Sequence, residues 1–137
     1  MSSTLLIRYE PDPHDEVGRL WFNVKTSQFE GTAFFWSNLS EMAELIDRFG
    51  EYPLTEKVTE MWGFDDAQGE DVVLSLALMP SGPTGGIEVT VVVADQFDLD
   101  QRLTTKLKTD YSKLQELLRD LKAMSEHRAG EALLTGT

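Results

Sequence analysis

Hydrophobic and polar residues alternate along the first third of the chain, which is the period of strands with one buried face. Residues 4–10 predict a first strand that ends at the turn-rich PDPHDEVG, and residues 18–26 predict a second. A tight turn at residues 26–28 leads into a third strand over residues 29–36. Because the connections are short, these strands should form an antiparallel meander.

The hydrophobic period changes to that of a helix after Trp36. Asn38 is placed to cap the first turn, with Glu41 three residues later, and Gly50 followed by Pro53 ends the pattern. The predicted buried stripe consists of Leu39, Met42, Leu45, Ile46 and Phe49. These signals indicate an amphipathic helix of about three turns.

Strand patterns return in the second half of the chain. A short strand is expected at residues 58–64, followed by an acidic loop. Residues 72–79 and 86–94 flank PSGPTGG, whose glycines and prolines predict a hairpin connection. Residues 101–108 alternate again, with a polar outer face.

A second amphipathic helix should begin at Asp110, a favourable N-cap residue. Its predicted buried stripe consists of Leu114, Leu117, Leu118 and Leu121. Residues 38–49 align with residues 110–121 without gaps, which suggests that the chain consists of two halves, each a sheet followed by a helix. The alternative is chance, because any two capped amphipathic helices look alike. The tail from Gly130 either adds a short strand or packs loosely.

These elements predict one α+β domain over residues 1–137. Its expected architecture is a single antiparallel sheet of about six or seven strands with two amphipathic helices on one face, with a sheet–helix pseudo-repeat as an open alternative. At 137 residues the chain has the usual length of one domain.

The charge balance is the compositional outlier, because 12 Lys and Arg face 24 Asp and Glu and give a net charge of -12. Such a surface repels nucleic acid and anionic lipid, and it would steer a basic protein partner. An acidic protein without a special partner has the same composition. The apolar runs are too short to cross a membrane and no signal peptide is visible, so we expect a cytoplasmic protein.

Three aromatic residues form the first candidate site. If the strands run as predicted, Trp21, Phe34 and Trp36 lie on the sheet face opposite to the apolar core positions. Exposed aromatics of this kind favour a partner-binding patch or a homodimer interface. The alternatives are that a loop or the C-terminal tail covers them, or that a bulge at Gly31 reverses the alternation.

Two acidic loops form the second candidate site. They carry Asp65, Asp66, Glu70, Asp71, Asp95 and Asp98. Neither loop keeps the ligand spacing of a calcium site, so we expect no bound metal. Solvated turns, weak cation binding and an interface with a basic protein are the interpretations that stay open.

The sequence offers no catalytic motif. There is no cysteine, and His14 and His127 lie in charged or turn-rich segments without a serine motif nearby. The GPTGG run lacks the lysine and the following helix of a phosphate-binding loop. We expect no catalytic residue and no cofactor, although a carboxylate pair such as Glu30 and Asp71 would be visible only in the fold.

Two segments resemble the WapI-like bacterial immunity proteins in the order of their elements and in the types of residues they contain. They are RLWFNVKTSQFEGTAFFWSNLSEMAELIDRF and the closing EALLTG. In those proteins an aromatic-glycine strand leads through a tryptophan turn into a short helix, and a second helix precedes a terminal strand ending in glycine. The resemblance implies a non-enzymatic protein that binds and blocks a cognate toxin, often a nuclease. It transfers no functional residue.

The function predicted from the sequence is therefore non-catalytic protein binding, most concretely neutralisation of a basic bacterial toxin through acidic loops and exposed aromatics. An acidic secretion-type chaperone is one alternative, although such chaperones generally open with a helix. A small-ligand binding domain is another, and it would need convergent polar groups in a cleft.

Overall fold

The computed structural model describes residues 2–64 and 71–137. Within these residues the chain forms eight strands and two helices. The elements are β1 Ser3–Glu10, β2 Gly18–Lys25, β3 Glu30–Ser37, α1 Leu39–Phe49, β4 Val58–Gly63, β5 Val72–Ser81, β6 Gly86–Asp95, β7 Asp98–Asp110, α2 Tyr111–His127 and β8 Gly130–Gly136.

The strands form two antiparallel sheets, whereas the sequence pattern predicted one. The first sheet has the order β3-β2-β1-β8 and the second has the order β4-β5-β6-β7. The prediction of a single sheet of about six or seven strands is therefore wrong, while the α+β class and the two helices are confirmed. Alternation defines which face of each strand is buried but not which strand lies beside it, so the pattern could not separate the sheets.

The two helices also lie differently from the prediction that both cover one face of one sheet. They pack against each other, α1 contacts β4, and α2 contacts β8 and β7. Both predicted N-caps are present, since the Asn38 side chain accepts a hydrogen bond from the Glu41 N–H and Asp110 accepts one from Lys113.

The apolar faces of both sheets and both helices share one core. The alternate residues of β1 and β2 point into it, and so do Leu74, Leu76 and Leu78 of β5. β3 approaches the second sheet closely at Gly31, where an added Cβ would lie 2.8 Å from side-chain atoms of Val93 and Leu103. The β2–β3 register is unbroken, so the alternative of a bulge at Gly31 is wrong.

The C-terminal tail forms a strand and connects the two sheets. β8 pairs with β1 along its length. Beyond its end, Thr137 exchanges two backbone hydrogen bonds with Lys108 of β7, at 2.8 and 2.9 Å. Each half of the chain runs from a meander into a helix, but β8 returns to the sheet of the first half. In the described part of the chain, neither helix has the length and apolar character of a membrane span.

Candidate functional site

An aromatic ladder lies on the outer face of the first sheet, and we define it as Trp21, Phe34 and Trp36. Trp21 and Phe34 are cross-strand partners with ring centroids 4.6 Å apart. Phe34 meets Trp36 edge to face at 5.9 Å. The core residues Phe22 and Ala33 point to the opposite face of the same strands. The predicted placement of the three aromatics is therefore confirmed.

Two arginines lie over the ladder from neighbouring strands. The Arg8 guanidinium is 5.3 Å from the Trp21 ring. Arg19 lies 5.4 Å from Phe34 and 5.5 Å from Trp36. Exposed cation–π contacts of this kind contribute about 0.5–1 kcal/mol each. The arginines therefore order the rings while the ladder stays at the surface.

The ladder is partly open to solvent in the described part of the chain. Trp36 is 41% exposed, and Trp21 and Phe34 are half-buried against each other and the arginines. The alternative that the C-terminal tail covers them is wrong, because β8 pairs with β1 at the other side of the sheet. The Trp21 indole N–H donates to Glu10, so its polar edge is already satisfied by this chain.

A groove of about 590 Å³ runs beside β3, and we call it the β3 groove. One wall is formed by residues 30–34 of β3 together with Trp21. The other wall is formed by residues 93–97 and 101–103 of the β6–β7 hairpin. The groove thus lies between the two sheets and adjoins the ladder through Trp21 and Phe34.

Gln96 is the most distinctive polar residue of the β3 groove. Its side-chain nitrogen is buried and has no hydrogen-bond partner among the described residues. Buried polar groups are nearly always hydrogen-bonded, because leaving one unpaired costs about 1–3 kcal/mol. A donor without a partner among the described residues, placed at the lining of a groove, is therefore a candidate contact for a bound group.

A second cleft, of about 310 Å³, lies at the C-terminal end of β3 between β4 and α1. Its lining includes Trp36 of the ladder, the buried Trp62, and the carboxylates of Glu41, Glu44 and Glu60. Glu41 accepts hydrogen bonds from Ser37 Oγ at 2.8 Å and from Trp62 Nε1 at 3.1 Å. Because Glu60 is paired with Arg48, Glu44 is the exposed carboxylate that this cleft offers to solvent.

The acidic loops are only partly described. Asp65, Asp66 and Glu70 lie outside the described residues. Asp71 at the start of β5 and Asp95 at the end of β6 lie at the same end of the second sheet, because Leu74 pairs with Val93. Asp95 accepts the Phe97 N–H at 2.9 Å and Asp98 accepts the Asp100 N–H at 3.3 Å, so both carboxylates also stabilise their turn.

The histidines and Tyr9 lie outside the linings of the β3 groove and of the second cleft. His14 and His127 are exposed, as expected from the sequence. Burial raises the pKa of Tyr9, which keeps its phenol protonated beneath Gly18. In residues 2–64 and 71–137, no three His, Cys, Asp or Glu side chains are arranged to hold a metal ion.

Sequence reasoning identified the ladder and Asp95 but missed the rest of the β3 groove. Gln96 and Phe97 sit in a hairpin turn between two acidic residues, and Phe97 is 83% exposed. A large aromatic in a two-residue turn is a signal that could have singled out this hairpin. The groove itself depends on how the two sheets meet, which no local pattern reveals.

No protein-family model matches the sequence. Searches of the curated proteins and of the solved structures likewise find no match. The resemblance to WapI-like immunity proteins therefore stays a prediction.

Proposed function

We propose that this chain is a non-catalytic protein-binding module that holds a basic protein partner along β3. The observation that carries the proposal is the surface ladder of Trp21, Phe34 and Trp36, which has a cleft with carboxylates at each end of β3. Aromatic residues supply a large share of the energy at protein interfaces, and exposed apolar clusters rimmed by polar groups are typical of interaction sites.

The charge of the chain favours a basic partner over other macromolecules. The net charge is -12. Glu30 and Asp95 line the β3 groove, and Glu44 is exposed at the second cleft. Carboxylates at the rim of an interface accelerate association with a basic protein and make it sensitive to salt.

The resemblance to WapI-like immunity proteins suggests which kind of basic protein the partner is. The partner is a basic bacterial toxin, such as a nuclease, which this chain neutralises in the cytoplasm. A nuclease needs basic residues to hold the phosphates of its substrate. An acidic surface placed over those residues would exclude the nucleic acid by occupying its site.

The test starts with affinity capture from the lysate of the source organism at low and high salt. The retained protein is then purified, and its Kd is measured for the wild type and for a Trp21→Ala/Trp36→Ala variant. Loss of two interface aromatics is expected to weaken binding by about 30-fold or more. Saturating wild-type protein should also abolish the toxic activity of the partner.

The matched control is Met79→Ala, which truncates an exposed apolar residue of the second sheet. This variant should bind like the wild type. A second variant, with Asp65, Asp66, Asp95 and Asp98 changed to Asn, should lose most of the salt dependence. Equal affinities for all variants would show that the captured protein binds elsewhere and would refute the proposal.

A small ligand is a second candidate, favoured by the volume and polar lining of the β3 groove. Its volume of about 590 Å³ lies in the usual range of small-molecule sites, and Gln96 offers an unpaired donor. Thermal denaturation against a metabolite panel tests it, because a ligand raises the midpoint. Stabilisation that Gln96→Ala abolishes would favour this candidate.

A further inference from the structure

We infer that the β3 groove takes an extended peptide segment of the basic partner, which adds to the free edge of β3 as a further strand. The inference rests on the proposed function and specifies how the partner is held. In strand addition, main-chain hydrogen bonds supply affinity and pockets for alternate side chains supply specificity.

β3 is an edge strand whose own sequence and pairing carry none of the usual protection. It pairs with β2 over eight residue pairs without a register shift. It contains no proline, and its charged residue, Glu30, is at its first position. Natural proteins normally blunt sheet edges with proline, internal charges, bulges or a covering element, because unpaired backbone groups invite another strand.

The other three edge strands carry such protection. The pairing of β4 has a register shift between Trp62 and Gly63. The polar face of β7 carries lysines, and its Lys108 is bonded to Thr137. β8 is packed against α2. β3 lacks the register shift of β4 and the lysines of β7, and the element that faces it is the second sheet across the β3 groove.

The β3 groove borders the lateral edge of the strand. Successive side chains of a strand point to opposite faces, yet the consecutive residues 30–34 all line the groove. Their backbone is therefore what the groove exposes. The β6–β7 hairpin, at residues 93–97 and 101–103, supplies the facing wall.

Gln96 provides a hydrogen bond that a peptide backbone would complete. Its buried side-chain nitrogen has no partner in the described part of the chain. An added strand carries carbonyl groups on both sides, one row for β3 and the other for the hairpin wall. A carbonyl of the second row would satisfy the Gln96 amide.

The groove also indicates which side chains the segment carries. Trp21, Phe34 and Phe97 offer aromatic contacts, while Glu30 and Asp95 offer carboxylates. An extended segment places successive side chains on opposite faces. Because Glu30 and Phe34 share the outer face of β3, the side chains that lie beside them on the added strand are expected to include both basic and apolar residues.

The probe for this inference is a displayed library of linear twelve-residue peptides, selected against the full chain. Enriched peptides should combine basic and apolar residues and should protect the outward-pointing amides of residues 30–34 from hydrogen exchange. Gln96→Ala should weaken them about three- to tenfold, the effect of losing one neutral hydrogen bond. Gln115→Ala is the matched control, because this exposed glutamine lies on α2 and not in the lining of the groove.

Failure to enrich any binding peptide would overturn the inference, and so would protection confined to other strands. Concentration-dependent protection of residues 30–34 without peptide would assign the edge to a second copy of this chain instead.

If the captured partner needs Trp21 and Trp36 yet leaves residues 30–34 unprotected, the inference fails and the proposed function stands. If peptides protect β3 but no partner depends on the ladder, the proposed function fails instead.

Discussion

At the scale of single residues, Asp110 couples the stability of α2 to pH. Ser112 Oγ and the Lys113 N–H donate to the same carboxylate oxygen, at 2.7 and 3.0 Å, and these bonds lower the pKa of Asp110. A lowered pKa stabilises the fold above the unfolded value of about 4, and this contribution is lost as the pH falls through the folded pKa. Asp110→Ala should lower the free energy of unfolding by about 1 kcal/mol at pH 7, and by less in acid. Urea denaturation at both pH values measures this difference.

The matched control is the uncharged cap of α1. The Asn38 side chain accepts the Glu41 N–H at 2.9 Å and carries no titrating group. Asn38→Ala should therefore cost a similar amount at every pH. An Asp110→Ala cost that is equally independent of pH would show that the ionised carboxylate adds nothing to the cap.

Both caps could be predicted from the sequence, because capping depends on residues three positions apart. The role of Gly31 could not. Its lack of a side chain matters because Val93 and Leu103 of the other sheet approach it. Gln96 escaped prediction for the same reason, since its burial depends on distant parts of the chain.

At the scale of elements, β8 should contribute to the stability of the fold through one of its two faces only. Leu134 is fully buried and pairs with Leu5, whereas its neighbour Leu133 is 44% exposed. Leu134→Ala should destabilise the protein by about 2–5 kcal/mol through lost burial and a cavity. Leu133→Ala should change the free energy of unfolding by less than about 0.5 kcal/mol. Urea denaturation of both variants checks this, and similar costs would contradict the assigned face of β8.

Most elements were predictable because their periods are local. The strands of the first meander, both helices and the hairpin around PSGPTGG were all expected from alternation, caps and turn residues. The tail was left open between a strand and loose packing. Its strand forms because Ala132 and Leu134 find a buried face beside β1, which lies more than a hundred residues earlier.

At the scale of the whole molecule, the number of sheets was not predictable. The choice of neighbours among antiparallel strands is set by packing between distant segments, which alternation does not encode. The ladder could be predicted because alternation within β2 and β3 is enough to place its three aromatic residues on the same face. The β3 groove could not, because its walls come from different sheets.

The shared core predicts that the two sheets unfold together. Phe22 of the first sheet meets Trp62 of the second at 5.5 Å, and β8 carries the end of the chain back to the first sheet. A Trp62→Phe variant leaves Trp21 and Trp36 to report on the first sheet, and Trp21→Phe/Trp36→Phe leaves Trp62 to report on the second. Within each variant, urea transitions by fluorescence and far-ultraviolet circular dichroism should coincide. Separate transitions would mean that the two halves are independent folding units. Two sheet–helix repeats could unfold independently if β8 did not return to the sheet of the first half.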